Sequence, residues 1–130
     1  MSSLGTWVES RHWGGGARAL PGGRNAPAVA IVERDTFEAG SGEMLLVDPD
    51  GSNPGAWPRE YRGVADPALA VLLVASALAV GRLAREGPGI LRELIRGAEV
   101  DAYLLATEER IEDAGLDDFV ADLGLAFPRH

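Results

Sequence analysis

Residues 67–80 read PALAVLLVASALAV, an apolar run interrupted by one hydroxyl, at Ser76. Asp66 can cap the first free amides of a helix, and Pro67 suits its first position, where a missing N–H costs nothing. The stretch therefore predicts a helix from Pro67 to Glu86, stopped by Gly87 and Pro88. At a rise of about 1.5 Å per residue its apolar part spans about 21 Å, short of the roughly 30 Å hydrocarbon core of a bilayer, so a buried core helix is expected rather than a membrane span. Leu69, Val71, Leu72, Leu73, Val74, Leu78 and Val80 would point in every direction around its axis. A helix apolar all round has to be covered all round. The cover would be a sheet on one side and later helices on the other, a second copy of the chain, or a different protein. Ala68, Ala75, Ala79 and Gly81 offer the small surfaces that close backbone approach needs.

Upstream, residues 1–66 are rich in Gly, Pro and Trp and show no helical period, so this half is expected to be β. Ala28–Arg34 and Glu43–Val47 are the clearest strands, expected to form a hairpin through a loop carrying Gly40, Ser41 and Gly42. Thr6–Trp13, Ala17–Leu20 and Trp57–Gly63 are weaker strands, and Pro58 either places the last of them at an edge or argues against it as a strand. Residues 48–55 form a turn cluster, and the glycine-rich stretch Gly14–Asn25 reads as a mobile loop. Downstream, Ile90, Leu91, Leu94 and Ile95 predict a short amphipathic helix ending near Gly97. Val100–Ala106 fits either strand or helix; Thr107 followed by Glu108 and Glu109 resembles a fresh helix start, which favours a strand and then a helix. Leu116, Phe119, Val120 and Leu123 form a one-sided helical stripe with Asp117 as its expected cap.

The composition narrows the chemistry. A chain of 130 residues, 46% hydrophobic, suits one domain with one core. It contains twelve Arg and no Lys, no Gln and no Cys, the usage of GC-rich coding, which implies a bacterial source. Without Lys there is no Schiff-base or P-loop chemistry; without Cys there is no thiol catalysis, disulfide or thiolate metal site. The net charge is −8, and residues 99–130 supply most of it, with nine acidic groups against Arg110 and Arg129. An acidic chain with no basic tract repels phosphate backbones, so no nucleic-acid partner is expected. No charged segment followed by an apolar one opens the sequence, and a cytoplasmic protein is expected.

No catalytic or metal-ligating pattern emerges. Gly14–Gly16 lacks the strand–loop–helix context and the Lys of a phosphate loop. In Asp48-Pro49-Asp50-Gly51-Ser52-Asn53 the turn glycine and closing Glu of a calcium loop would fall on Asn53 and Arg59. Gly40-Ser41-Gly42 lacks the spacing of a nucleophile elbow, and the only histidines are His12, in an expected edge segment, and His130, at the terminus, which argues against a serine triad; two such distant histidines also argue against a His-based metal site. No cofactor and no metal are expected.

Two groups of residues suggest contact surfaces. Glu108, Glu109, Glu112, Asp113, Asp117, Asp118 and Asp122 place like charges four apart on helices, which local stability does not favour. They read either as a solvated face with some favourable helix-end charge or as a docking surface for a basic protein. The second group joins Trp7, Trp13, Trp57 and Tyr61 to Arg11, Arg59 and Arg62, residue types that either pad a sheet or form binding hot spots.

The order of strands, a turn and then Asp66-Pro67-Ala68-Leu69-Ala70-Val71-Leu72-Leu73 resembles the last strand and central apolar helix of tubby-like and phospholipid-scramblase-like proteins. That resemblance would imply a barrel wrapped around the helix and binding to lipid surfaces. Sixty-six preceding residues are too few for the family's many-stranded barrel, and the resemblance is set aside.

The sequence therefore predicts an α+β domain: an N-terminal antiparallel sheet of four to five strands packed on one long apolar helix, followed by two to three short helices. The expected function is a non-catalytic protein-binding accessory protein, of the immunity, adaptor or phage-inhibitor kind. It would use the acidic C-terminal surface, the Trp/Arg patch, or both. Its partner would be a basic protein, or a second copy joined through the apolar helix. The alternatives are a small-molecule binder or enzyme with a pocket in the N-terminal sheet, drawing on His12, Asp48, Asp50 and Arg59, and a peripheral lipid-binding protein.

Overall fold

The computed structural model describes residues 28–48, 55–64, 69–86, 88–113 and 115–124. Thr6–Trp13, Ala17–Leu20, the Gly14–Asn25 loop and most of the 48–55 turn cluster lie outside the described residues. The segment Leu69–Ala75 is a β-strand, β4, with every residue buried, and it overturns the long helix expected from Pro67. The helix starts only after Ser76, as α2, Ala77–Glu86. A seven-residue run of Leu, Val and Ala is as long as a strand and about a third of the length of the helix expected from Pro67 to Glu86. A strand buried on both faces beside a parallel neighbour reads as continuous apolar sequence without alternation.

The remaining elements in chain order are β1, Ala28–Glu33; α1, Arg34–Ala39; β2, Gly42–Asp48; β3, Gly55–Tyr61; α3, Leu91–Arg96; β5, Val100–Leu104; α4, Glu108–Asp113; and α5, Asp117–Asp122. The sheet order is β3-β2-β1-β4-β5. β1 pairs antiparallel with β2 and parallel with β4, while β2–β3 and β4–β5 are antiparallel. The fold is thus α+β with a mixed sheet that draws strands from both halves of the chain, where an antiparallel sheet confined to the N-terminal half was expected. The β1–β2 pairing stands as expected, but its connection contains the six-residue helix α1 closed by Gly40 at φ 77°. β3 takes the sheet edge that Pro58 implied.

One face of the sheet carries Val29, Ile31, Leu45, Val47, Val71 and Leu73, packed against Val80 and Leu83 of α2, Leu91 and Leu94 of α3, Ile111 of α4 and Val120 of α5. The other face carries Ala30, Val32, Met44, Leu46, Leu72 and Val74, with Phe37 of α1 and Leu105 against it. Period-two alternation sends neighbouring residues to opposite faces. At the start of β4 the alternation slips: Ala28 pairs with Leu69 but Val29 with Val71, leaving Ala70 as the extra residue of a bulge. The Ala70 carbonyl then accepts from both Leu105 (2.8 Å) and Ala106 (3.2 Å), closing the far end of β5 onto β4.

Ser76 is the boundary between strand and helix. Its hydroxyl accepts the Ala79 amide at 3.1 Å, satisfying one of the free donors of α2, and donates to Glu99 Oε2 at 2.6 Å. Arg82 of α2 pairs with Glu86 at 2.9 Å and with Glu93 of α3 at 3.6 Å, and its hydrogen bond holds the Glu86 carboxyl below its ordinary range.

Candidate protein-interaction surface

Sequence and packing together expose the carboxylates of α4 and α5. Thr107 caps α4, its hydroxyl accepting the Arg110 amide at 3.3 Å, so the helix begins at Glu108. Ile111 is fully buried against the sheet. At the far end the Gly115 amide donates to the Glu112 carbonyl and the Leu116 amide to the Ile111 carbonyl, each at 3.0 Å, with Gly115 left-handed at φ 73°. This is a Schellman turn, and it reverses the chain into α5 with Leu116 returned to the core beside Ile111. Leu116, not Asp117, holds the N-cap position of α5; Asp117 and Asp118 fill its first turn. Val120 is buried, so α5 also spends its apolar side inward.

What remains outside is acidic. Glu108, Glu109, Glu112, Asp113, Asp117, Asp118 and Asp122 are all exposed, and among the described residues none of them forms an ion pair. Glu108, Glu109, Asp117 and Asp118 gain from the positive ends of their helices, whereas Glu112 and Asp113 occupy the last turn of α4, where the dipole disfavours an anion.

The second expected group divides. Tyr61 is 1% exposed and packs in the core with Met44, so it is no contact residue; burial pushes its phenol above the ordinary value. Arg59 and Arg62 are exposed, and Arg62 pairs with Glu60 at 3.3 Å. An open pair of this kind contributes about 0–1 kcal/mol. Trp57 lies opposite Leu46 in the β2–β3 register. Trp7, Trp13 and Arg11 lie outside the described residues.

Arg59, Glu60, Gly42 and Glu43 line an open depression of about 340 Å³. Asp48 pairs with Gly55 at the opposite end of the same ladder, whereas Arg59 pairs with Met44, four residues away along β2. At the strand rise that is roughly 13 Å. His12 and Asp50 lie outside the described residues. Among the described residues no three acidic or histidine side chains are grouped to hold a metal ion. Leu69–Ala75 is enclosed in the sheet, so the long apolar helix through which a second copy was expected to join does not form. No helix among the described residues is long and apolar enough to cross a membrane.

The sequence reading did not single out the end of the sheet where β1 and β4 finish side by side. Arg34 there donates to the Ala98 carbonyl at 3.2 Å and lies 3.7 Å from Asp101 of β5. Nor did it single out β5 as a surface, although the alternation of Val100-Asp101-Ala102-Tyr103-Leu104 carried that signal. Compared with known proteins, the chain matches no family model, no curated protein and no solved structure.

Proposed function

We propose that the chain is a non-catalytic protein-binding accessory protein that docks a basic protein through the exposed face of α4 and α5. The observation that carries this reading is the set of seven exposed carboxylates on two short helices whose opposite sides are buried, with no ion pair to a described residue. Clustered like charge raises self-repulsion and lowers local stability, and Glu112 and Asp113 add an unfavourable dipole contact. A face built against its own stability fits selection for a partner of opposite sign. Such a field speeds encounter at low salt and rejects acidic competitors.

The test is a titration of isotope-labelled protein with an arginine-rich peptide and with its glutamate counterpart, at low and high salt. The triple variant Glu108→Gln, Glu112→Gln, Asp113→Asn is expected to lose roughly tenfold in affinity at low salt, about 1.4 kcal/mol, while its melting temperature holds or rises. The control Glu43→Gln, Glu60→Gln removes charge from β2 and β3, at the other end of the strand order from β5, and is expected to bind as the parent does. An equal loss in both variants, or an affinity indifferent to salt, would overturn the reading.

A further inference from the structure

Hydrogen bonding along β5 is one-sided. The Ser76 amide donates to the Glu99 carbonyl at 3.0 Å and the Leu105 amide to the Ala70 carbonyl at 2.8 Å, and the ladder between them pairs Val74 with Asp101 and Leu72 with Tyr103 without a slip. In an antiparallel pair, alternate residues turn both backbone groups toward the neighbour. Glu99, Asp101, Tyr103 and Leu105 therefore face β4, and Val100, Ala102 and Leu104 turn their N–H and C=O groups away from the sheet. β5 is the end of the strand order, and no described residue pairs with that outer edge. An unpaired edge is a template for another strand.

We infer that the outer edge of β5 receives an extended basic segment of the partner as a sixth, antiparallel strand. The inference rests on the proposed basic partner and adds how it is held. Side chains flanking this edge are chemically divided by strand alternation. Ala102 and Leu104 lie half-buried on the helix-covered face and call for apolar residues opposite them. Asp101 and Tyr103 stand exposed on the other face. Tyr103 is 41% exposed, with one ring face stacked on Phe37 at 5.4 Å between centroids. Arginine suits both positions, as a second cation on the half-exposed Asp101 carboxylate, which Arg34 approaches at 3.7 Å, and as a cation over the Tyr103 ring. The incoming strand would thus alternate basic and apolar residues, and its continuation would meet Glu108 and Glu109 only a few residues beyond the end of β5.

Charge also selects the occupant. Two copies of β5 paired edge to edge would bring together Asp101 and the flanking Glu99 and Glu108 of two chains that each carry −8, and like charges across a sheet are destabilising. A basic strand removes that penalty.

The experiment measures amide exchange at Val100, Ala102 and Leu104 in the full chain, first alone and then with an alternating Arg/Val peptide. A second peptide of identical sequence carries N-methyl groups on the amides facing β5, so it keeps its charge but cannot form the ladder. The expected result is fast exchange alone, roughly tenfold slowing at these three amides with the first peptide, and no slowing with the second. In the protein, Ala102→Pro removes one outward donor and is expected to weaken the first peptide about tenfold while leaving the second unaffected. Should this variant fail to fold, the peptide pair still decides. If both peptides bind equally and shift only α4 and α5, strand addition is overturned and the acidic-face reading survives. If the three amides slow with the first peptide while the acidic triple variant binds as the parent does, strand addition stands and the acidic-face reading falls. If neither peptide binds at low salt, both fall. Slow exchange in the protein alone overturns the inference too: concentration-dependent protection assigns the edge to a second copy, and concentration-independent protection to the chain's own residues.

Discussion

Leu69–Ala75 and Ala77–Glu86 are neighbours of nearly the same apolar vocabulary, yet the first is a strand and the second a helix. LAVLLVA buries every side chain because it lies inside the sheet between β1 and β5, with a hydrophobic layer on each face. ALAVGRLARE buries only Ala79, Val80 and Leu83, and turns Leu78, Arg85 and Glu86 to solvent. Burial on two faces against burial on one is the difference. Local propensity did not choose between the two states, since Ala and Leu favour helix in both halves; enclosure of the β-branched positions Val71 and Val74 in the sheet did.

The largest test of that contrast compares one Leu from each half. Leu73→Ala, fully buried between two layers, is expected to cost about 2–5 kcal/mol in denaturant unfolding. Leu78→Ala, in a residue 61% exposed, is expected to stay within about 0.5 kcal/mol. Equal losses would mean that the two segments share one environment and that the division at Ser76 is wrong.

A smaller effect is expected at the boundary itself. Ser76→Ala removes the cap from Ala79 and leaves Glu99 without its hydroxyl partner. About 1–2 kcal/mol of stability should go with it, and Ser76→Gly should cost about as much if the Glu99 contact matters more than the cap, since glycine itself caps tolerably. A loss for alanine with only a few tenths for glycine would assign the whole effect to capping.

These variants also mark what was legible beforehand. The hydroxyl that interrupts PALAVLLVASALAV was the punctuation: nine residues before a Ser, of which Leu69–Ala75 form the strand, then Val80 and Leu83 at helical spacing, is a strand followed by a capped helix. Reading the run as one piece followed from Asp66 and Pro67, a convincing helix start that the sheet overrode. β1, β2 and the Pro58 edge strand were legible because short apolar runs bounded by turn residues, and proline, are local signals. So were α3, β5 with Thr107 behind it, and the inward stripe of α5. Strand order was not, because the parallel pairing of β1 with β4 joins residues some forty positions apart and leaves no mark on either. In the surface, the exposure of Glu108 to Asp122 followed from charge, whereas the loss of Tyr61 to the core followed from register with Gly42 beside Met44, which composition does not reveal.

The smallest test concerns the turn that locks this boundary. α3 ends as α4 does: the Ala98 amide donates to the Ile95 carbonyl at 3.1 Å and the Glu99 amide to the Leu94 carbonyl at 2.9 Å, the Schellman pattern again. At the equivalent position α4 has Gly115, whereas α3 has Ala98 in the left-handed region at φ 61°. That conformation costs an L-residue about 1–2 kcal/mol, and glycine escapes it at an entropic cost of about 0.4–1 kcal/mol in the unfolded chain. Ala98→Gly is therefore expected to stabilise by about 0.5–1 kcal/mol, a gain visible as a higher denaturant midpoint with an unchanged slope. The turn delivers the Glu99 carbonyl to the Ser76 amide and the Glu99 carboxylate to the Ser76 hydroxyl, so relief there should appear as slower amide exchange at Ser76 and Ala79, at the junction of the two segments. A destabilised Ala98→Gly would mean that the alanine methyl makes a packing contact worth more than the backbone strain. The clamp on Ser76 would then be held by side-chain packing and not by the Schellman turn.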